Sequence, residues 1–160
     1  MTVCVHGATL HVASCTYFLC YAKAVNETGF INKINKSLST NIYKWKINDP
    51  YHGGVPDCYY SGPAGMCFVE YKYKPKLPAK DTSKINFGLS KQQELWLTQQ
   101  AANRVSVYVI AGCEDKAVHL ATDFGKVNLY TKESFLKEAV DFAQIKDLLH
   151  IRLGETDGRN

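Results

Sequence analysis

The spacing of hydrophobic and polar residues predicts one helix followed by three strands in the first half of the chain. Apolar residues recur at helical spacing over residues 23–38. Residues 42–47, 55–60 and 67–73 are short apolar or aromatic runs bounded by turn-forming residues. A Ser-Gly-Pro-Ala-Gly segment joins the last two runs and is typical of a hairpin. We therefore expect a helix and then a meander of strands.

The second half continues with a helix, a buried strand and several further elements. A polar loop over residues 75–88 precedes Ser90, which is placed to cap a helix that runs to about residue 103. The β-branched run at residues 104–111 suits a central strand covered on both faces. Three more elements are predicted: a strand at 117–121, a short strand at 127–130, and helical periodicity over 132–153.

This order of elements predicts an α/β fold, in which a mixed sheet has helices on its faces. A chain of 160 residues that is 46% hydrophobic and 21% charged is expected to form a single globular domain. Residues 8–22 form an almost uncharged apolar run that is too short to span a bilayer and lacks the basic leader of a signal peptide. We expect this run to be a packing element or an N-terminal extension, and we expect no membrane partner.

Charge and cysteine content narrow the class of protein. The net charge of +4 mildly favours an anionic partner. The six cysteines have no paired short spacing, so neither a zinc site nor a disulfide framework is predicted. Cys58, Cys67 and Cys113 lie in apolar runs and are expected to be buried thiols, which indicates an intracellular, reducing compartment.

The main chemical signal is a group of ionisable residues on two neighbouring strands. Asp57 opens one strand, and Glu70 and Lys72 are two residues apart on the next, so these side chains should share one face of the sheet. Crowded carboxylates raise each other's pKa and destabilise the fold unless a cation lies between them. Oxygen ligands without Cys or His favour Mg²⁺ or Mn²⁺ over zinc. The alternative is a surface salt bridge between Glu70 and a lysine.

The residues around this group form a longer pattern. The chain has Gly-Val-Pro-Asp at 54–57, Cys-Phe-Val-Glu-Tyr-Lys at 67–72 and Leu-Ser-Lys-Gln-Gln at 89–93. This pattern resembles the motif of the PD-(D/E)XK nuclease superfamily, and in particular its VRR-NUC branch, in which a Gly-x-Pro-Asp turn precedes the hairpin and a Leu-Ser-x-x-Gln helix follows. The resemblance covers roughly residues 23–112. Residues 1–22 and the peripheral tail from about 126 to 160 have no counterpart in it.

The resemblance implies a restriction-endonuclease-like three-layer α/β/α sandwich and a Mg²⁺-dependent nuclease in which Mn²⁺ can substitute. It implies that the metal is held by Asp57, Glu70 and the backbone carbonyl of Tyr71, and that Lys72 is the catalytic lysine. The metal would polarise the phosphoryl group, and the lysine would stabilise developing negative charge.

Two further residues are open to two interpretations each. Glu27 lies four residues before Ile31 on the apolar stripe of the first helix, where a carboxylate is costly unless a cation or donor meets it. It is also close to the helix start, where acids are favoured in any case. The resemblance implies Glu27 as the acid of the first core helix and Gln93 as a helper near the metal. Gln93 also fits a capping box with Ser90.

The resemblance to stand-alone viral and archaeal junction-resolving enzymes implies a homodimer that cuts branched DNA such as Holliday junctions, because two-fold symmetric DNA favours a two-fold symmetric protein. If the source is viral, the host cytoplasm is the expected location. The alternatives are a nicking, repair or restriction-type endonuclease on duplex or flapped DNA, and a non-catalytic nucleic-acid-binding module.

Lysines and aromatic residues are the candidate DNA contacts, although both sets could instead be ordinary surface and core residues. The candidate phosphate contacts are Lys33, Lys36, Lys74, Lys76, Lys80 and Lys84. The candidate stacking residues are Tyr43, Trp45, Tyr51, Tyr59, Tyr60, Tyr71 and Tyr73.

Overall fold

The computed structural model describes residues 26–154, which form a mixed six-stranded sheet in the order β1-β2-β3-β4-β5-β6. Neighbouring strands are antiparallel except β3 and β4, which are parallel. The elements in chain order are α1 (Glu27–Ser37), β1 (Tyr43–Lys46), β2 (Cys58–Gly62), β3 (Gly65–Lys74), α2 (Lys91–Ala102), β4 (Val107–Cys113), β5 (Lys116–Leu120), a 3₁₀ helix (Phe124–Leu129), α3 (Lys132–Glu138), β6 (Val140–Asp141) and α4 (Phe142–Leu153).

Helices cover both faces of this sheet. On one face α1 and α4 bury residues such as Phe30, Ile34 and Leu149 against the odd-numbered residues of β3. On the other face α2, the 3₁₀ helix and α3 form a second core that includes Leu97 and Phe135. Strand β4 lies between the two layers and is buried along its whole length, as a doubly covered strand should be. The predicted α/β class, a mixed sheet between two helix layers, is confirmed.

The strand predicted at residues 55–60 begins only at Cys58, and two further predicted elements differ from the observed ones. The segment predicted as a short strand at residues 127–130 belongs to the 3₁₀ helix, because the Asn128 side chain exchanges hydrogen bonds of 3.0 and 2.8 Å with the backbone of Leu89 instead of joining a strand. The helical periodicity over residues 132–153 is interrupted, because Val140 and Asp141 pair with β5. A second helix then starts at Phe142, where the Gln144 side chain accepts a 3.1 Å hydrogen bond from the N–H of the N-cap residue Asp141.

The C-terminal elements contribute to the core. Helix α4, in the part of the chain without a counterpart in the motif, buries Ile145 and Leu153 on the same face as α1. Cys58, Cys67 and Cys113 are free and buried, as predicted. The apolar run at residues 8–22 lies outside the described residues. None of the helices within residues 26–154 has both the length and the apolar character needed to cross a bilayer.

Candidate active site

Glu70 lies at the centre of the predicted group, under the first turn of α2. Only 1% of its surface is exposed. Its Oε1 atom lies 2.7 Å from Lys72 Nζ and accepts a 2.5 Å hydrogen bond from Gln93 Nε2. Its Oε2 atom is buried and has no hydrogen-bond partner within the described residues. A buried carboxylate oxygen without a partner is unfavourable, so a ligand that contacts this atom would be stabilising.

Asp57 lies beside Glu70 across the strand pair. Strands β2 and β3 pair Cys58 with Val69, so the next step of the same register places Asp57 opposite Glu70 and on the same face. The Asp57 Oδ2 atom accepts a 2.8 Å hydrogen bond from the backbone N–H of Tyr71. The structure therefore brings the side chains of residues 57, 70 and 72 together, as the alternation of the strands predicts.

Glu27 reaches the same edge of the sheet from the opposite helix layer. It is the first residue of α1, directly after the N-cap Asn26, and its side chain is half-buried. The backbone N–H of Tyr73 acts on its carboxylate and lowers the pKa of Glu27, against the larger effect of burial. In a strand the N–H and C=O of one residue point to the same side, so the Tyr71 carbonyl faces this edge, together with the Tyr71 N–H that binds Asp57.

All three carboxyl groups have raised pKa values. Burial, and then the negative charge of Asp57, raise the pKa of Glu70 to about 7, whereas Lys72 acts in the opposite direction. Burial also raises the pKa of Asp57, against the Tyr71 hydrogen bond and the charges of Lys72 and Lys46, and it raises the pKa of Glu27. The site thus holds more negative charge than its lysine neutralises, which is a common property of cation-binding and catalytic sites.

Gln93 both caps α2 and contacts Glu70. Its side-chain oxygen accepts a 3.0 Å hydrogen bond from the Ser90 N–H, and Ser90 Oγ accepts from the Gln93 N–H, which completes the capping box of α2. Its side-chain nitrogen donates to Glu70 Oε1. The helix cap therefore fixes the orientation of the amide group that holds Glu70.

Gly54 docks the Gly-Val-Pro-Asp turn onto α2. Its φ of +87° lies in the left-handed region, and a Cβ atom there would lie 2.7 Å from the carbonyl oxygen of Gln92. At the end of the turn the Asp57 carbonyl accepts a 2.7 Å hydrogen bond from the Ile47 N–H. These two contacts hold Asp57 between the edge of the sheet and the start of α2.

The candidate DNA-binding lysines do not form a single group around the site. Lys74 is near it, since its charge lowers the pKa of Glu27. Lys33 lies over the ring of Phe142 at 4.4 Å, in the helix layer of α1 and α4. The remaining four are exposed on α1 and on the loop after β3: Lys36, Lys76, Lys80 and Lys84.

Lys46 is near the site although the sequence did not single it out from its basic stretch. Its positive charge lowers the pKa of Asp57. The signal that identifies it is the register of β1 and β2, which places Lys46 opposite Cys58 and therefore beside Asp57.

The chain is similar in structure to solved proteins. The chain is similar to a Holliday junction resolvase, Hjc, from the archaeal hyperthermophile Archaeoglobus fulgidus, with 13% sequence identity and a TM-score of 0.46. The similarity covers 74% of this chain and 98% of the resolvase. No protein-family model matches the sequence, and no curated protein does so either.

The donor set suits a hard divalent cation. Within residues 26–154 no three His, Cys, Asp or Glu side chains are grouped closely enough to hold a metal by themselves. Asp57 and Glu70 do present carboxylate oxygens at one edge, and the Tyr71 carbonyl faces the same edge. Such a cation would give the Oε2 atom of Glu70 a partner, and it would lower the raised pKa values of both acids.

Proposed function

We propose that this protein is a divalent-metal-dependent nuclease of the PD-(D/E)XK superfamily, related to its VRR-NUC branch, that hydrolyses phosphodiester bonds in DNA. The observation that carries the proposal is the Glu70 carboxylate, which is buried with one oxygen unpartnered beside a second acid and a lysine. A buried charge of this kind is costly for stability, so its presence favours a role in binding and chemistry.

In this proposal Asp57, Glu70 and the Tyr71 carbonyl hold Mg²⁺, for which Mn²⁺ can substitute. When bound, the ion supplies Lewis acidity toward the phosphoryl group and lowers the pKa of a coordinated water. The surrounding residues support this set, because Gln93 holds the Oε1 atom of Glu70 and leaves Oε2 available.

Lys72 and Glu27 act on the reacting groups. The side chain of Lys72 is 12% exposed, so it can contact a phosphate at the surface while its Nζ atom remains 2.7 Å from Glu70. There it stabilises the negative charge that develops on the phosphate oxygens. Glu27 is half-buried at the rim, and burial brings its pKa closer to neutrality, so its carboxylate can accept a proton from the attacking water.

We further propose that the substrate is branched DNA and that the protein acts as a homodimer inside cells. The motif resembles that of junction-resolving enzymes, and two identical active sites match the two-fold symmetry of a four-way junction. Cleavage of duplex or flapped DNA by a nicking, repair or restriction-type enzyme is the alternative outcome of the experiment.

The experiment compares a labelled synthetic four-way junction with a supercoiled plasmid at equal protein concentration, in Mg²⁺ and in EDTA. The parent should cut the junction first, and only in Mg²⁺. Asp57→Asn should bind DNA but not cut it, whereas Asp147→Asn, which makes the same change at an exposed position on α4, should behave as the parent. Faster cleavage of the plasmid would contradict the preference for branched DNA. Absence of cleavage with any divalent ion would indicate a non-catalytic binding module.

A further inference from the structure

A row of aromatic rings crosses β1, β2 and β3 on the face that carries Glu70. In register, Trp45 pairs with Tyr59, and Tyr59 pairs with Phe68. The ring centroids are 6.4 Å apart for Trp45 and Tyr59, 5.2 Å for Tyr59 and Phe68, and 5.5 Å for Phe68 and Trp96 of α2. We call these four residues the aromatic row.

No residue within 26–154 covers the outer end of this row, whereas the tyrosines of the opposite face are buried. Tyr60 and Tyr71 point to the other side of the same strands and are fully buried under α1 and α4. Trp45 is 52% exposed, and Tyr43, whose ring lies 6.4 Å from that of Tyr59, is 61% exposed. The alternation of the strands therefore divides the aromatic residues into a core set and a surface set.

A groove of about 380 Å³ lies beside the row. Its walls include the rings of Trp45, Tyr51 and Phe68 and the side chains of Pro50 and Val55. Asp49 also lines it, and the carboxylate of Asp49 lies 2.9 Å from His52 Nδ1. Tyr51 is 88% exposed on the far wall. A mostly apolar groove with aromatic walls is suited to a flat, unsaturated ring.

The aromatic row lies two residues along the strands from the proposed metal ligands. Tyr59 is two residues after Asp57, and Phe68 is two residues before Glu70, so all four side chains share one face. Two residues of a strand span roughly 6.6 Å, about twice the 3.4 Å rise between nucleotides of one DNA strand. A base near the scissile phosphate is therefore within reach of the row.

Charge favours a nucleic acid over a second copy of this chain on this surface. Lys46 follows Trp45 directly and pairs with Cys58 on the opposite face of β1, and its charge still acts on Asp57, so the edge of the sheet beside the row carries a cation. Lys44 and Lys46 also occupy two of the four positions of β1, which is the edge strand. Lysines on an edge strand disfavour pairing with an identical strand.

We infer that the groove binds an unstacked nucleobase of the strand that is cut, so that the protein recognises DNA with unpaired nucleotides beside the scissile bond. This inference rests on the proposed nuclease function for the position of that bond. The base stacks on the exposed ring of Trp45, and the row behind it keeps that ring in place. Stacking of this kind tolerates any base, so the recognition concerns DNA structure and not sequence.

The test measures binding in EDTA by fluorescence anisotropy, with a blunt duplex and with the same duplex carrying an unpaired single-stranded arm. Trp45→Ala should weaken binding of the armed duplex roughly ten-fold, as expected for loss of one stacked base, and should leave the blunt duplex within about two-fold. Trp45→Phe should restore most of the affinity. Ile151→Ala, an exposed apolar position on α4, is the matched control and should change neither substrate.

Three outcomes would overturn the inference. The first is equal weakening of both substrates by Trp45→Ala, and the second is no weakening of either. The third is a shift from dimer to monomer in sedimentation on Trp45→Ala, which would identify the surface as an interface between copies. Failure of the nuclease proposal gives a different result: the parent would cut no DNA in Mg²⁺ or Mn²⁺, while the difference between armed and blunt duplexes in EDTA would remain.

Discussion

Replacing Glu70 with Gln isolates the free-energy cost of the buried carboxylate. The pKa of Glu70 is raised from 4.5 to about 7, first by burial and then by Asp57. The folded protein thus holds this proton more tightly than the unfolded chain, so its stability falls as the pH rises from about 4.5 to about 7. Above that window the ionised Glu70 costs the metal-free fold about 3 kcal/mol.

We therefore expect Glu70→Gln, relative to the parent, to be more stabilising at pH 8 than at pH 5 by roughly 2–3 kcal/mol without metal. For a domain of this length the corresponding difference in Tm is roughly 4–12 °C. Thermal unfolding followed by circular dichroism in EDTA at the two pH values measures it. Added Mg²⁺ should then raise the Tm of the parent and not that of the variant, because only the parent keeps both carboxylate ligands.

Glu133→Gln is the control, since Glu133 is exposed on α3 and the substitution removes the same charge. It should show little difference between the two pH values. If Glu70→Gln gains no stability relative to the parent between pH 5 and pH 8, the Glu70 carboxylate is not an uncompensated charge. The physical reason for a cation at this position would then be removed.

Three other substitutions test the parts that surround Glu70. Lys72→Met should reduce the cleavage rate by about 10²–10³-fold, because it removes a donor that stabilises the transition state. A gel assay with labelled DNA measures this rate, and an unchanged rate would exclude Lys72 from the chemistry. Gly54→Ala should lower the free energy of unfolding by more than about 1 kcal/mol in urea, because of its φ of +87°, and an unchanged midpoint would mean that the turn does not need this conformation. Gln93→Ala and Ser90→Ala should each lower the free energy of unfolding by about 1 kcal/mol, because each removes part of the helix cap. Only Gln93→Ala should also slow cleavage, since only Gln93 contacts Glu70. Equal cleavage rates for the two variants would mean that Gln93 acts only as a cap.

Local patterns predicted the centre of the site because short-range geometry determines it. The two-residue period of a strand places Glu70 and Lys72 on one face, and a hairpin brings Asp57 beside them. The Ser-Lys-Gln-Gln start of α2 predicted the cap. The simultaneous contact of Gln93 with Glu70 required the packing of α2 on the sheet, which no local pattern reports.

The features that were missed depend on contacts between distant parts of the chain. Lys46 lies near Asp57 because of the pairing of β1 with β2, and the 3₁₀ helix is fixed by Asn128 against Leu89. The break between α3 and α4 follows from pairing with β5, which apolar periodicity does not reveal. The sequence also did not show which aromatic residues lie in the core. Strand alternation shows which residues share a face of the sheet, but it does not show which face a helix covers.

Diffraction from crystals soaked in Mn²⁺ at pH 8, where Glu70 is ionised, tests whether residues 57, 70 and 71 form one cation site. We predict one strong anomalous peak within coordination distance of the Asp57 and Glu70 carboxylates and the Tyr71 carbonyl oxygen. We also predict that the peak is lost in Asp57→Asn crystals treated in the same way. A peak elsewhere, or none at Mn²⁺ concentrations that support cleavage, would contradict the proposed metal site.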